Sequence, residues 1–148
     1  MKKLLVAVLL LSVSALLASG SVEIFSWWTG GGEEEGLAAI YEVFKAKFPD
    51  VEIINATVAG GAGTNAKAVL KTRMLGGNPP DSFQVHGGME LIDTYVITDM
   101  MEPLTDILEG WGILDKFPKD IMTICSYEGE VYSIPVFFFK QKTAYEIS

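Results

Sequence analysis

Two adjacent tryptophans followed by a run of glycines are the feature of the sequence with the most potential chemistry. Trp27 and Trp28 close a short run of β-forming residues, and Thr29 leads from them into the glycines at positions 30–32. A flat indole can stack on the apolar face of a sugar ring, and nearby acids or amides can bond the ring hydroxyls. These residues predict a small-ligand surface, with the alternative that both indoles belong to the core left open.

A second candidate is the polar pair Gln84 and His86, which alternates with the apolar residues Phe83 and Val85. Alternation along a strand places Gln84 and His86 on one face, where both can hydrogen-bond a ligand. A surface histidine, or a core histidine with satisfied bonds, is the alternative. His86 is the only histidine and no G-x-S-x-G elbow is present, so the sequence indicates neither a multi-histidine metal site nor a serine hydrolase.

Three carboxylates, Glu33, Glu34 and Glu35, follow the glycine run. Glu33 could bond ligand hydroxyls, although acids just before a helix are also explained by the favourable helix dipole. The single cysteine, Cys125, excludes an intrachain disulfide and a cysteine-based zinc site, and we expect it to be a small buried hydrophobe. The sequence predicts no cofactor and no metal.

The elements that must position these residues alternate between strand and helix. The predicted strands are Val22–Trp28, Val51–Val58 and Asp81–His86, with a turn and strand over Tyr127–Pro135. The first predicted helix covers Gly36–Phe48, with an apolar stripe at Leu37, Ile40, Tyr41, Phe44 and Phe48, and the second lies around Ala66, Val69, Leu70 and Met74. The third covers Met89–Ile97, with Leu91, Ile92, Tyr95 and Val96 facing inward. A short helix is predicted over Pro103–Leu108, followed by a loop at Trp111–Phe117 that carries aromatic cover. This alternation predicts an α/β fold with a doubly wound parallel sheet. In such sheets ligands bind beyond the carboxyl ends of strands, where the candidate residues fall.

Length and charge limit the possible functions. A chain of 148 residues, of which 49% are hydrophobic, has the size and composition of one ordinary domain with a core. Its net charge of -8 argues against non-specific binding to nucleic acid, because the phosphate backbone would be repelled.

Residues 1–20 have the three parts of a secretory signal. Lys2 and Lys3 come first, the apolar run Leu4–Leu17 follows, and small residues precede a cleavage site after Gly20. As a helix, the apolar run would rise about 21 Å, short of the roughly 30 Å hydrocarbon core, so we expect cleavage rather than a membrane anchor. No cysteine follows the run, so we expect no lipid anchor.

Three sequence blocks carry a family resemblance. They are the opening V-E-I-F-S-W-W-T-G-G-G-E, the block N-A-K-A-V-L-K-T-R-M-L-G-G-N-P-P-D-S-F-Q-V-H-G-G and the closing S-Y-E-G-E-V-Y-S-I-P-V. From about Val22 to Val136 the chain resembles the periplasmic sugar-binding proteins of ABC importers, within the family 1 extracellular solute-binding proteins and close to the glucose-binding branch.

The resemblance implies a class II periplasmic-binding-protein-like fold, in which two α/β lobes clamp a sugar at the hinge and present the closed form to a membrane permease. Residues 21–136 would be the N-terminal lobe, with the second lobe missing. The implied protein is a periplasmic monomer that binds a glucose-like monosaccharide and is not an enzyme.

The resemblance also implies roles for individual residues. Trp28 resembles the residue that stacks on the sugar, with Trp27 beside it. Hydroxyl-binding groups are implied at Glu33, Gln84 and His86. Thr29 and Asn65 match by loop position only and are lesser candidates.

The family pattern stops after Val136. Residues Phe139 to Glu146 back-translate as TTC-AAG-CAG-AAG-ACG-GCA-TAC-GAG, which resembles the flow-cell adapter of short-read sequencing libraries. We therefore expect residues 137–148 to be a translated adapter, with a genuine divergent terminus as the alternative. A lobe that grips sugar from one side buries less of the ligand than pockets usually do, so the chain as written is expected to bind sugar weakly or not at all.

Two other functions remain as alternatives. A secreted glycosidase could use Glu33 with another acid, but such enzymes need two carboxylates at a set separation, and the sequence gives no sign of that pairing. A structural or adhesive surface module would leave the paired tryptophans and the Gln-x-His pattern without a purpose.

Overall fold

The computed structural model describes residues 20–136 of the chain. The predicted signal peptide, apart from Gly20, and the predicted adapter-derived tail lie outside the described residues. The described part divides into two compact units after Phe83. None of its helices has the length and apolar character needed to cross a membrane.

The first unit contains a parallel three-stranded sheet. Strand β1 (Ser21–Phe25) is central and pairs with β2 (Glu52–Asn55) on one side and β3 (Ser82–Phe83) on the other, with both neighbours parallel to it. Branched and aromatic residues in β1 favour the pleated, half-buried conformation. The predicted parallel α/β sheet is confirmed.

Two helices connect the strands of this sheet. Helix α1 (Gly31–Lys47) joins β1 to β2, and helix α2 (Thr64–Leu75) joins β2 to β3. Helix α1 begins five residues before its predicted start at Gly36, so Glu33 lies inside its first turn, where the helix dipole favours a carboxylate.

The apolar stripe of α1 is less buried than predicted. Leu37 is 4% exposed, but Ile40 and Phe48 are 43% and 44% exposed. The 17-residue helix is about 25 Å long, whereas the five-residue strand β1 spans only about 17 Å. The sheet is therefore too short to cover the whole stripe.

In α2 the buried stripe is narrower than the predicted one. Ala66 and Leu70 are fully buried, while Val69 is 41% exposed and Met74 is half-buried. Ala66 and Leu70 are four positions apart, about one helical turn, so the side of α2 that carries these two residues faces the core.

Both strands that precede candidate residues end earlier than predicted. Strand β1 ends at Phe25 rather than Trp28, and β3 ends at Phe83 rather than His86. Backbone pairing beside β1 nevertheless continues, because the Val58 N–H donates to the Ser26 carbonyl at 2.9 Å. The predicted strand-face relationship of Gln84 and His86 is therefore wrong, since both follow the end of β3.

The second unit consists of short helices and one hairpin. Helix α3 (Met89–Leu91) continues as π-helical turns over Ile92–Val96. It is followed by helix α4 (Thr105–Gly110), a 3₁₀ turn (Leu114–Lys116) and helix α5 (Lys119–Ile124). The hairpin consists of the antiparallel strands β4 (Ser126–Tyr127) and β5 (Glu130–Val131). Helix α5 was not predicted, since its six residues show less than two turns of periodicity.

The core of the second unit confirms most of the inward-facing residues predicted for it. Leu91, Tyr95 and Val96 are buried, whereas Ile92 is half-buried. The thiol-bearing residue Cys125 is 4% exposed and unpaired with another cysteine, as predicted for a small buried hydrophobe. Trp111 is 65% exposed, so the predicted aromatic cover is wrong at this residue.

Candidate ligand-binding site

The paired tryptophans lie just beyond the carboxyl end of β1. Both Trp27 and Trp28 are half-buried, so the alternative in which both are core residues is wrong. The residue before them, Ser26, is 1% exposed. Its hydroxyl accepts a hydrogen bond from the Trp28 N–H at 3.4 Å, and its carbonyl accepts one from Val58. Ser26 thus fixes the backbone from which Trp28 projects.

The indole of Trp27 packs against the beginning of α2. A side-chain Cβ at Gly63 would lie 3.0 Å from both Cδ2 and Cε2 of Trp27, so a residue without a side chain is needed there. The ammonium of Lys67 lies 5.6 Å from the ring centroid of Trp27, within the range of a cation–π contact. Gly63 and Lys67 together hold Trp27 in place, and neither residue was predicted from the sequence to do so.

Asn65 organises the glycine loop that precedes α2. Its Nδ2 donates to the Ala59 carbonyl at 3.3 Å, and a Cβ at Gly60 would lie 2.7 Å from that nitrogen. The backbone φ of Gly60 is +101°, a value that L side chains rarely adopt. The observed role of Asn65 is therefore to shape the loop, and a ligand contact from its exposed side chain stays a prediction.

Thr29 and Glu33 are both exposed. Thr29 lies in the loop before α1, and Glu33 lies in the first turn of that helix together with Glu34. This position fits the helix-dipole explanation of the acids. The ligand-binding role of Thr29 and Glu33 stays a prediction.

In the second unit, His86 contacts a carboxylate that was not among the predicted site residues. Its Nδ1 lies 3.0 Å from Oε2 of Glu90, and its backbone N–H donates to Oε1 of the same residue at 3.4 Å. The side chain of His86 is 60% exposed, and Gln84 is half-buried. The spacing of four residues between the histidine and the acid was the signal available in the sequence.

Two glycines shape the turn between His86 and Glu90. Gly88 has a φ of +83°, and its N–H donates to the Ile124 carbonyl at 2.7 Å. A Cβ at Gly87 would lie 3.0 Å from Cδ1 of Ile124. Close packing against Ile124 favours glycine at position 87, and the positive φ favours it at position 88.

The second unit also has an open groove of about 510 Å³ beside its hairpin, lined by residues that include Phe117, Met122, Tyr127 and Val131. The Glu128 carboxylate, first among several neighbours, raises the pKa of Tyr127. None of the predicted site residues lines this groove. Within residues 20–136, no cluster of three or more His, Cys, Asp or Glu side chains could hold a metal ion.

No family model matches the chain, but curated relatives do. An uncharacterized ABC transporter extracellular-binding protein of Pyrococcus horikoshii is 38% identical over 115 residues, which are 78% of this chain and 26% of that protein. A probable sugar-binding periplasmic protein of Rhizobium meliloti is 32% identical over 88% of this chain and 31% of its own length. The chain is a homologue of the sugar-binding proteins of ABC transporters.

The resemblance seen in the sequence is thereby confirmed. A further relative, the glucose-binding protein GlcS of Saccharolobus solfataricus, is 30% identical over 78% of this chain and 21% of its own length. The chain spans about a quarter of the length of these relatives. The relatives are periplasmic or extracellular binding proteins.

Solved structures confirm the predicted fold class. A chitin oligosaccharide binding protein matches with a TM-score of 0.66 and 25% identity, over 79% of this chain and 28% of that chain. A family 1 extracellular solute-binding protein from Alicyclobacillus acidocaldarius matches with a TM-score of 0.62, also at 25% identity and the same coverage. The described residues therefore have the fold of part of one solute-binding lobe.

Proposed function

We propose that the chain is the sugar-recognising part of an ABC-transporter binding protein, which takes up a glucose-like monosaccharide in the periplasm and delivers it to a membrane permease. The observation that carries this proposal is the position of Trp27 and Trp28 at the carboxyl end of the central parallel strand β1. Ligands of open α/β sheets bind at that edge. On this proposal the protein binds its substrate without catalysing a reaction on it.

Trp28 is the proposed stacking residue. Its indole is half-buried, and its backbone is tied to buried Ser26, so the ring is presented from a fixed position. The ring of Trp27 already packs against Gly63 and Lys67, which favours a supporting role for it. A sugar face on the Trp28 indole would bury apolar area from both partners.

Polar side chains are the proposed partners of the sugar hydroxyls. Carboxylate, amide and imidazole groups at Glu33, Gln84 and His86 supply acceptors and donors in the numbers that a hydroxylated ligand needs. Thr29 and Asn65 are proposed as lesser contacts. Each of these roles is proposed because the residue matches a position of the family pattern.

Glucose is the first choice of ligand because GlcS, a relative at 30% identity, is named as a glucose-binding protein. A structural neighbour at 25% identity is named for chitin oligosaccharides, so short oligosaccharides must be tested beside monosaccharides. The periplasmic location is supported by the predicted signal peptide and by the periplasmic relatives. The monomeric state and the permease partner follow from the resemblance.

Calorimetric titration of a sugar panel tests the proposal. A long read of source DNA across the codons for Ser133 to Ser148 first defines whether a longer product exists. We expect the 148-residue chain to bind sugars weakly or not at all and a longer product to bind glucose, mannose, galactose or a chitin oligosaccharide at micromolar concentration. A longer product that gives no heat with any sugar would contradict the proposal. Release of reducing sugar from glycosides would instead favour the glycosidase.

A further inference from the structure

The carboxylate of Glu90 contacts the single histidine of the chain at two points. One oxygen lies 3.0 Å from the imidazole Nδ1 of His86, and the other accepts the backbone N–H of the same residue at 3.4 Å. The Glu90 side chain is 26% exposed, against 60% for His86. The acid is therefore the more shielded member of the pair.

An ionised carboxylate can only accept hydrogen bonds. The Nδ1 atom of His86 must therefore carry a proton when it bonds Glu90, and in the neutral imidazole the Nε2 atom then carries the lone pair. We propose that Glu90 is a positioning residue, which holds His86 in the Nδ1–H tautomer and makes its Nε2 a hydrogen-bond acceptor.

The backbone around the pair is built to keep this arrangement. Gly88 adopts a positive φ and bonds the Ile124 carbonyl, and the chain then enters α3, in whose first turn Glu90 lies. Gly87 packs so closely against Ile124 that a Cβ would have to displace it. The separation of His86 and Glu90 is thus set by backbone geometry as well as by their own contact.

The consequence for ligand recognition rests on the proposed sugar-binding function. Any partner of Nε2 in the Nδ1–H tautomer must be a donor, and a sugar hydroxyl can fill that role. Glu90 would then determine which way the hydrogen bond between His86 and the sugar runs. A carboxylate that orients an imidazole through its second nitrogen plays the same part at many metal and catalytic sites.

Nitrogen-15 NMR of the imidazole tests the tautomer directly in the 148-residue chain. Because His86 is the only histidine, a long-range proton–nitrogen spectrum of the neutral imidazole shows the signals of one ring. We expect the Nδ1–H pattern in the wild type and a shift of at least roughly threefold toward Nε2–H in Glu90→Ala. The control Glu109→Ala removes an exposed acid of α4 and should leave the ratio unchanged.

Near-UV circular dichroism checks that each variant folds, and Glu90→Met, which keeps the length of the side chain but has no oxygen acceptor, replaces Glu90→Ala if the smaller side chain unfolds the unit. A wild-type ring that is mainly Nε2–H, or a ratio that Glu90→Ala and Glu90→Met do not move, would overturn the tautomer assignment. This result does not depend on sugar binding.

Sugar titration of the same substitutions in a longer product that binds sugar tests the role in recognition. Where the wild type binds, we expect Glu90→Ala to lose roughly tenfold in affinity and Glu109→Ala to lose none. Equal affinity of the wild type and Glu90→Ala would overturn the positioning role while leaving the proposed function intact. A longer product that binds no sugar would instead count against the proposed function, and the NMR result would still decide the tautomer.

Discussion

The guanidinium of Arg73 holds the carboxylate of Glu23 through two parallel hydrogen bonds of 2.7 and 2.6 Å. The Arg73 and Glu23 side chains are only 19% and 24% exposed, and Arg73 also donates through Nε to the Asn78 carbonyl at 3.1 Å. The bond from Arg73 lowers the pKa of Glu23, and burial partly opposes it. Since Glu23 is in β1 and Arg73 in α2, this pair ties the central strand to the helix that begins beside Trp27.

We expect Glu23→Gln to lower the free energy of unfolding at pH 7 by about 1 to 2 kcal/mol, because it leaves the shielded Arg73 without its charged partner. Glu52→Gln removes the same charge from an exposed position of β2 and should change stability by under about 0.5 kcal/mol. Urea unfolding of both variants measures the difference. Equal stability of the two variants would show that the ion pair contributes nothing.

The same pair makes stability depend on pH. The pKa of Glu23 is lower in the folded chain than its ordinary value, so the unfolded chain binds more protons between the two pKa values. The contribution of Glu23 is therefore complete above about pH 5 and is lost as the pH falls through the folded pKa. The stability gap between the wild type and Glu23→Gln should narrow on acidification from pH 6 to pH 3. A constant gap over this interval would contradict the assignment.

Gly63→Ala should displace the indole of Trp27. A Cβ at this position would lie 3.0 Å from two ring atoms, at a backbone φ of +92°. Gly77→Ala is the matched control, because Gly77 also has a positive φ, +70°, but open space around it. We expect about 1 to 2 kcal/mol of destabilisation from the backbone in both variants, with a further ~1 to 3 kcal/mol of overpacking and a shifted tryptophan emission in Gly63→Ala alone. Equal destabilisation and unchanged tryptophan emission in both variants would show that the contact with Trp27 does not restrict the residue at position 63.

The hairpin of the second unit has an unfavourable residue in its turn. Glu128 and Gly129 both have positive φ, +50° and +91°, as the central residues of a two-residue type I′ loop require. Asn adopts this conformation more readily than Glu, so Glu128→Asn should stabilise the unit by roughly 0.5 kcal/mol. Glu130→Asn, the same change at a strand position without positive φ, should not stabilise it.

Glu128→Asn also has a spectroscopic consequence. The Glu128 charge is the first cause of the raised pKa of Tyr127, so its removal should lower that pKa toward the ordinary tyrosine value. Ultraviolet titration of phenolate absorbance, compared between the wild type and the variant, measures the change. A Tyr127 titration that stays at its wild-type position would assign the raised pKa to the other neighbours.

The alternation of strand and helix was sufficient to predict the parallel sheet, because periodicity and glycine-rich turns reflect local physics. The ends of strands were not predictable in the same way. Propensity favours continuing β1 through Trp28, but the Ser26 hydroxyl bonds the Trp28 N–H instead, and a side-chain bond of this kind leaves no periodic trace. Likewise, the pattern of α1 identified its apolar face but not how much of that face the short strands would cover.

The candidate site was predictable in its residue types and not in its contacts. Adjacent tryptophans before glycines pointed to the loop after β1, where the structure places them. The Lys67 ammonium near Trp27 depends on how α2 packs beside β1, which single-sequence reasoning does not give. The bond between His86 and Glu90 depends on two glycines that pack against a helix absent from the prediction.

Replacing Trp28 distinguishes a stacking platform from a tryptophan that only supports the fold. In a longer product that binds sugar, Trp28→Leu keeps an apolar side chain but removes the flat ring, so we expect sugar affinity to fall by roughly tenfold or more while the protein stays folded. The third tryptophan provides the matched control, because Trp111 is 65% exposed and lies outside the predicted site. Trp111→Leu should leave the affinity unchanged. Titration calorimetry with the best sugar of the panel measures the affinities, and circular dichroism confirms folding. If Trp28→Leu binds as tightly as Trp111→Leu, the sugar does not stack on Trp28, and the stacking role must be assigned to another residue.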